Sequence, residues 1–505
     1  MKKRTKFISL ILTAILTLSV LISCGGEGTE DSNTPVSADS ENEAGDGNPV
    51  EDAEENTEAE ILPPPELPDL DLGGADFVIM TNDYTIPIWS QRDIGAEEET
   101  GESINDAVYK RNSVIGERYN CNIVERKVSD LSAQIRKFVR AGDPAVDAAT
   151  VRLRDLKALI TGGNLVEFKN LIHIDTSNPW WDQNSVKDLS IDNKIFGVAS
   201  DMILMDDDST TAMVFNKQLQ ADYQIESLYG LVSDGKWTID KMLELCKVVS
   251  VDLDGNGTRD DKDAYGLLYQ RDTMTSFLSG CGEFIAGKDN DDLPILTLNT
   301  PKALEVLDKL YDILYDDMYC FHVMKFFDPT NIGFTDGMNE MFQADRALLM
   351  WIRMADVENL RTMNTDFGIL PIPKYNEQQG NYLQTVNPYV GVVVSVPQSA
   401  ASIENSSIIL EAMSYESKYT LVPAYYDVVL NTKIARDEES SAMLDIIFNN
   451  RAYDVGDVYD FNGLGSDVIN MSMTYNRNMV STYEKKEPRA LTDIEKFTTA
   501  IQELE

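Results

Sequence analysis

The sequence predicts an α/β fold, arranged in two lobes. Two observations carry this. Short apolar runs alternate with segments whose apolar residues recur at helical spacing, the pattern of a mostly parallel sheet covered by helices. The chain is also long enough, 505 residues of which 43% are hydrophobic, to bury a sizeable core as one large bilobal unit or two to three domains.

Asp76–Thr81 reads as the first strand. Ser103 is the expected cap of a helix in which Ile104, Ala107, Val108, Val114 and Ile115 share a face up to Tyr119. Asn122–Glu125 returns to strand. Leu131–Ala141 is helical and closed by Gly142, Val146–Val151 is a third strand, and Leu153–Ile160 is a helix stopped by Gly162 and Gly163. Further along, Thr238 caps a helix over Ile239–Val249, and Pro301 opens one with Leu304, Leu307, Leu310, Ile313 and Leu314 on one face. Asp366–Pro371 reads as a strand ended by proline, and Val390–Val396 as a buried strand. No glycine-rich phosphate loop follows any strand, so nucleotide binding has no support.

The amino terminus reads as an address. Lys2, Lys3, Arg4 and Lys6 precede a mostly apolar run from Phe7 to Ile22, the length of a secretory leader rather than of a bilayer span. It ends in Leu21-Ile22-Ser23-Cys24-Gly25, which resembles the bacterial lipobox, so residues 1–23 are expected to be removed and Cys24 to be lipidated. A plain signal peptide with an incidental cysteine is the other reading. From Gly25 to Asp71 there are 16 acidic residues and no basic one, a composition expected to stay extended and disordered as a tether over residues 24–71. The implied location is the extracellular face of the cell membrane, held by a lipid.

The charge balance excludes several partners. Lys+Arg total 43 against 85 Asp+Glu, a net charge of −42, which repels nucleic acid and polyphosphates. Only two histidines, His173 and His322, are present, which disfavours zinc sites and histidine triads. The five cysteines have no CxxC spacing; Cys121 and Cys246 read as buried thiols, and a Cys281–Cys320 disulfide is allowed in an exported chain.

Asp252-Leu253-Asp254-Gly255-Asn256-Gly257-Thr258-Arg259-Asp260-Asp261-Lys262-Asp263 has the spacing of a calcium loop. Asp252, Asp254 and Asn256 supply oxygen ligands, Gly257 the sharp turn, Thr258 its carbonyl, and Asp260 and Asp263 close the shell. Asp263 replaces the usual bidentate glutamate. An acidic turn without metal is the alternative.

A run of motifs then resembles the family-1 extracellular solute-binding proteins of ABC importers, which mostly carry carbohydrates. They are Asn105-Asp106-Ala107-Val108-Tyr109-Lys110-Arg111-Asn112, Ala141-Gly142-Asp143, Asn178-Pro179-Trp180-Trp181-Asp182, Val214-Phe215-Asn216-Lys217, Gly235-Lys236-Trp237-Thr238 and Ala344-Asp345-Arg346-Ala347-Leu348. Each is weak alone; their order along the chain carries the resemblance. In the last, Asp and Arg stand where Gly and Lys are usual.

The resemblance implies a type II periplasmic-binding-protein-like fold, with residues 72–203 plus 372–420 as one lobe and 204–371 plus 421–505 as the other. The lobes would close on a ligand about crossings near Ala199–Asp206 and Leu370–Lys374. It implies non-catalytic capture of a small solute, a carbohydrate, for an ABC permease. Sugars present apolar C–H faces and many hydroxyls, so Trp89, Trp180, Trp181, Trp351, Arg353, Tyr389 and Tyr425 are the ligand candidates, each with core packing as its alternative. Trp237 is read as core, and Met205-Asp206-Asp207-Asp208 as a solvated turn. Two other classes stay open: a secreted glycoside hydrolase, whose carboxylate pair is invisible among 85 acids, and a structural or adhesive lipoprotein.

Overall fold

The computed structural model describes residues 61–84, 89–327, 333–431 and 438–504. The leader, Cys24 and most of the acidic tether lie outside the described residues. Among those described, no helix is long and apolar enough to cross a membrane.

The chain begins with β1 (Ala75–Asn82), α1 (Ser103–Tyr119), β2 (Cys121–Val128), α2 (Leu131–Ala141), β3 (Ala148–Arg152), α3 (Leu156–Thr161) and α4 (Gln183–Leu189). α1 is capped by Glu102 rather than Ser103: its carboxylate accepts from the Asn105 N–H at 2.8 Å. Gly142 closes α2 at φ +61, a left-handed turn that glycine adopts without cost from a Cβ. β1 runs parallel to both β2 and β3. Phe77 and Ile79 face one core while Val78 and Met80 face the other, so both sides of this strand are covered.

The chain then passes through α5 (Met205–Asp208) into β4 (Thr211–Asn216), α6 (Lys217–Asp222), α7 (Leu228–Ser233), α8 (Ile239–Val249) and β5 (Tyr265–Tyr269). Next come α9 (Thr273–Gly280), the hairpin of β6 (Ala286–Lys288) and β7 (Pro294–Leu296), α10 (Pro301–Leu314), β8 (Cys320–His322), α11 (Gly333–Gln343), β9 (Ala347–Arg353) and β10 (Phe367–Leu370). Thr238 caps α8 and Pro301 is the first residue of α10. These strands form a second sheet in the order β10-β4-β9-β5-β8.

The chain returns through β11 (Gln384–Thr385) to β12 (Val392–Ser395), which joins the first sheet antiparallel to β3 and completes the order β12-β3-β1-β2. α12 (Ile403–Asn431) packs on α1. The carboxyl-terminal part, α13 (Glu438–Asn449), β13 (Arg451–Ala452), α14 (Val455–Val458), α15 (Leu464–Thr474) and α16 (Met479–Gln502), touches both halves. α13 packs on β10 and α15 on α9, whereas α16 packs on α3. The molecule is thus a two-lobed α/β fold in which each lobe gathers discontinuous pieces of chain.

The segments that lie side by side between the two sheets fall later in the chain than the expected crossings at Ala199–Asp206 and Leu370–Lys374, the second of which stays beside α8, where the Lys374 N–H donates to Trp237 O at 3.2 Å. The Asn387 N–H donates to Ser209 O at 3.0 Å, and Thr210 bridges Val386 in antiparallel fashion. A short parallel ladder, Gln384–Thr385 with Arg451–Ala452, sits beside them.

Candidate functional site

In open α/β sheets ligands gather outside the carboxyl ends of strands, where the topology switches. Here β3 ends at Arg152, β5 at Tyr269 and β9 at Arg353, and the paired crossing segments run between the two sheets. A crevice in this region is lined by Thr211, Asp272, Thr385, Asn387, Tyr389 and Asp457, among others. It encloses about 10 Å³ of free space, room for roughly one water.

Its polar groups are incompletely matched. Thr211 Oγ1, Asp272 Oδ1 and Thr385 Oγ1 are buried with no hydrogen-bond partner among the described residues. Asp272 Oδ2 accepts from Asn387 Nδ2 at 3.2 Å, and Oδ1 has only the Arg271 guanidinium, 3.3 Å away without hydrogen-bond geometry. Arg154 comes from the segment just past β3. Its guanidinium lies 4.4 Å from the centre of the Tyr389 ring, donates to the Tyr389 hydroxyl at 2.6 Å, and pairs with Asp457 at 3.2 Å and Asp460 at 2.7 Å. Burial pushes the Asp457 carboxyl up to about 7, against the opposing pull of Arg154. Tyr389 itself stays 38% exposed, with the Arg154 guanidinium over its ring.

A buried ionic cluster stands at the crossings. Arg451 pairs with Asp182 at 2.8 Å, Asp206 at 2.9 Å and Asp207 at 2.5 Å. Asp206 and Asp208 are buried in α5, so the run at 205–208 is interior rather than the solvated turn expected from its charge. Desolvation raises all three carboxyls, Asp207 to about 6 and Asp208 to about 7. Asp208 accepts from the Tyr425 hydroxyl at 3.0 Å and lies 3.7 Å from Arg92.

The sequence-derived ligand candidates scatter. Tyr389 lines the crevice. Tyr425 is buried against Asp208. Trp89 and Arg353 meet face to face, the guanidinium 4.1 Å from the ring centre, with Arg353 held by Asp356 at 3.0 Å. Trp180 and Trp181 are buried in the first lobe, where their Nε1 groups donate to the two oxygens of Glu411 at 3.0 and 2.8 Å. Trp351 is buried within β9 and its Nε1 has no partner among the described residues. Trp237 is buried as core, donating to Pro371 O at 2.8 Å. Cys24 lies outside the described residues.

Arg154, Asp272, Asn387 and Asp457 were not singled out by the sequence. They sit on four distant segments, and nothing distinguishes two aspartates among 85 acidic residues. Only the position of Arg154 and Asp272 just past β3 and β5 gives a signal.

In the 252–263 loop, one carboxylate oxygen each from Asp252, Asp254 and Asp263 lie within 4.8 Å of one another, three oxygens of the type a hard cation takes. Asp252 accepts from the Gly255 and Gly257 N–H groups, both at 2.8 Å, and the Gly257 contact holds its carboxyl below the usual range. Asn256 Oδ1 accepts from the Thr258 N–H at 2.6 Å and Asp260 Oδ1 from the Lys262 N–H at 2.9 Å, just as Asp254 Oδ1 accepts from the Asn256 N–H at 3.1 Å and Asp263 Oδ2 from the Asp260 N–H at 3.0 Å, so all of these side chains are engaged within the loop. Cys121, Cys246, Cys281 and Cys320 are all buried free thiols, with no Cys281–Cys320 bond.

No family profile and no curated relative matches the chain. Solved structures match in fold. M. tuberculosis UspC superposes with a TM-score of 0.56 at 14% identity, covering 82% of this chain and 100% of that one. A cyclo/maltodextrin-binding protein complexed with maltotetraose gives 0.52 at 13% identity, over 84% of this chain and 96% of that one. The architecture is that of the two-lobed periplasmic-binding-protein-like structures.

Proposed function

We propose that this protein is an extracellular solute-binding protein that captures a sugar or oligosaccharide and delivers it to an ABC import permease, without catalysing a reaction. The observation that carries the reading is the crevice at the crossings, where strand ends of both sheets meet around unmatched polar groups and a partly exposed tyrosine. Asp272 Oδ1 and the Thr211 and Thr385 hydroxyls suit hydroxyl-bearing ligands, and Tyr389 suits a sugar's C–H face. The nearby Arg154 is already paired with two aspartates, so it is not a free cation for an anionic solute. The cyclo/maltodextrin-binding protein of the same fold, complexed with maltotetraose, supports the ligand class.

With room for about one water, the crevice must open to admit a sugar, by a hinge motion of the lobes about the paired crossings. We assign residues 72–203 plus 372–420 to one lobe and 204–371 plus 421–505 to the other. Cys24 carries the lipid, the acidic stretch to Asp71 is the tether, and the protein sits on the outer face of the cell membrane. The 252–263 loop holds a structural calcium ion through Asp252, Asp254, Asn256, Thr258, Asp260 and Asp263; a chelator should lower the melting temperature, and added calcium should restore it.

The reading is tested by thermal shift of the full chain against mono- and oligosaccharides, then amino acids, peptides and polyamines. A ligand at 100 times its dissociation constant stabilises the folded state by about 2.7 kcal/mol. A saccharide shift without hydrolysis is expected. Turnover of an oligosaccharide would replace capture by glycoside hydrolysis, and silence across the panel would favour a structural lipoprotein.

A further inference from the structure

The tip of the β6–β7 hairpin, which follows α9, meets the turn that follows α4. That turn is tight: Ile191 and Lys194 bridge each other, and Asp192 and Asn193 between them take φ +54 and +58, the left-handed pair of a two-residue hairpin turn. Both of their amides are spent on one residue of the β6–β7 hairpin. The Asp192 N–H donates to Asp292 O at 3.0 Å, and the Asn193 N–H donates to Asp292 Oδ2 at 2.9 Å. Asp292 Oδ1 accepts from the Ser190 hydroxyl at 3.0 Å and pairs with Lys288 at 2.5 Å. Asp292 itself sits at φ +62, where glycine would be the usual choice; an aspartate stands there and uses its side chain. Lys288 Nζ donates to Lys187 O, to Ser190 O at 3.0 Å and to Ser190 Oγ at 2.7 Å, a cation placed on the last carbonyls of α4. At its base the hairpin is tied to α14, which carries Asp457 into the crevice. Asp454, the cap of α14, accepts from the Ile285 N–H at 2.8 Å, and a Cβ on Gly456 would stand 2.5 Å from Ala286 N.

We propose that the β6–β7 hairpin is a latch across the lobe boundary: Lys288 and Asp292 at its tip grip residues 187–194 of the first lobe, its base holds the α14 wall of the crevice, and the lobes part only when the tip lets go. The latch rests on the lobe division proposed above and gives that division a gate for ligand entry. The grip consists of hydrogen bonds, which water can replace as the tip lifts, so it can be made and broken repeatedly. The Lys288 and Asp292 side chains are 15% and 16% exposed, against about one-third for the Arg92–Glu358 pair, so salt screens the grip less. Left-handed aspartate and asparagine residues on both sides of one contact are the kind of backbone outlier that gathers at clamps and switch regions.

The test follows amide hydrogen exchange of the full chain, resolved by peptide, in wild type, Lys288→Met and Asp292→Asn, with small-angle scattering alongside. In wild type the Asp192 and Asn193 amides should be protected. In the variants exchange over the 187–194 turn and the hairpin should rise by about 10-fold or more, as expected for losing a hydrogen bond to a charged group. The rest of the chain should keep its exchange rates, and the radius of gyration should grow as the open form gains population. Asparagine tolerates the left-handed backbone, so Asp292→Asn carries the test if Lys288→Met fails to fold. Unprotected amides in wild type, unchanged exchange in the variants, or a rise spread evenly over the chain would each overturn the proposal. So would faster local exchange at an unchanged radius of gyration, which would reduce the contact to a local turn. None of these readings needs a sugar, so failure of the latch and failure of the solute-binding reading remain distinguishable.

Discussion

Asp272 precedes α9 at a position where an aspartate ordinarily caps the helix, yet its side chain makes no capping bond. One oxygen is committed to Asn387, and the other faces the crevice without a hydrogen bond. A buried acceptor left this way is costly unless a ligand donor completes it. Asp272→Ala should therefore weaken binding of the sugar found in the thermal screen by about 10- to 100-fold, in line with roughly 1.5–3 kcal/mol for a hydrogen bond to a charged group. Calorimetric titration reads this directly, and unchanged affinity would remove Asp272 from the site. Asp457 gives a second prediction, in pH. Its carboxyl titrates near 7 in the folded protein and near 3.9 when unfolded, so the folded state binds the extra proton between these values. Its contribution to stability is fully present below about pH 4 and is lost as pH rises to about 7. Asp457→Asn cannot ionise, so its melting temperature should fall less than wild type's between pH 5 and 8, with the Asp208 share of the slope retained.

The strands and helices were legible because each carries its own local signal. Gly142, Thr238 and Pro301 stand at the helix ends where φ, capping and a missing N–H require them, and Phe367–Leu370 stops before Pro371. Alternation of these signals gave the fold class without knowledge of any contact. The site was mostly illegible for the opposite reason: its members are joined only by the fold. Trp180 and Trp181 show the difficulty. Two adjacent tryptophans after a proline read as a sugar platform, but Glu411, about 230 residues away on α12, supplies an acceptor to each. Glu411 also accepts from Asn178 at 2.8 Å, so one carboxylate fixes the whole aromatic loop to α12. Glu411→Ala would strand three donors, two of them on buried rings. A loss of about 3 kcal/mol or more is expected in urea unfolding, with tryptophan emission shifted to the red as the loop loosens. A shift in emission without a loss of stability would mean that packing of the rings, rather than these bonds, holds the loop.

At the scale of the whole molecule, the two lobes touch through more than their crossings. Trp89 and Arg92 follow β1 in the first lobe, while Arg353 and Glu358 lie at and just past the end of β9 in the second. The Arg353 guanidinium covers the Trp89 ring at 4.1 Å, and Arg92 pairs with Glu358 at 2.9 Å. Both members of that ion pair are about one-third exposed, so its strength is modest, on the order of 0.5–1 kcal/mol after solvent screening. The effect of removing it depends on the resting state. A molecule that rests in this arrangement, with room for about one water in the crevice, would have to open transiently to take up a sugar. Glu358→Gln weakens the closed form with and without ligand alike, so the equilibrium affinity should hardly change. The open fraction should rise, and with it the rate of ligand entry, by about 2- to 5-fold. The dissociation rate should rise by the same factor, because release passes through the same open form. Stopped-flow measurement of both rates separates this from the alternative: a molecule that rests open would show an unchanged entry rate and a weaker affinity, since the pair would then form only as the lobes close on the sugar.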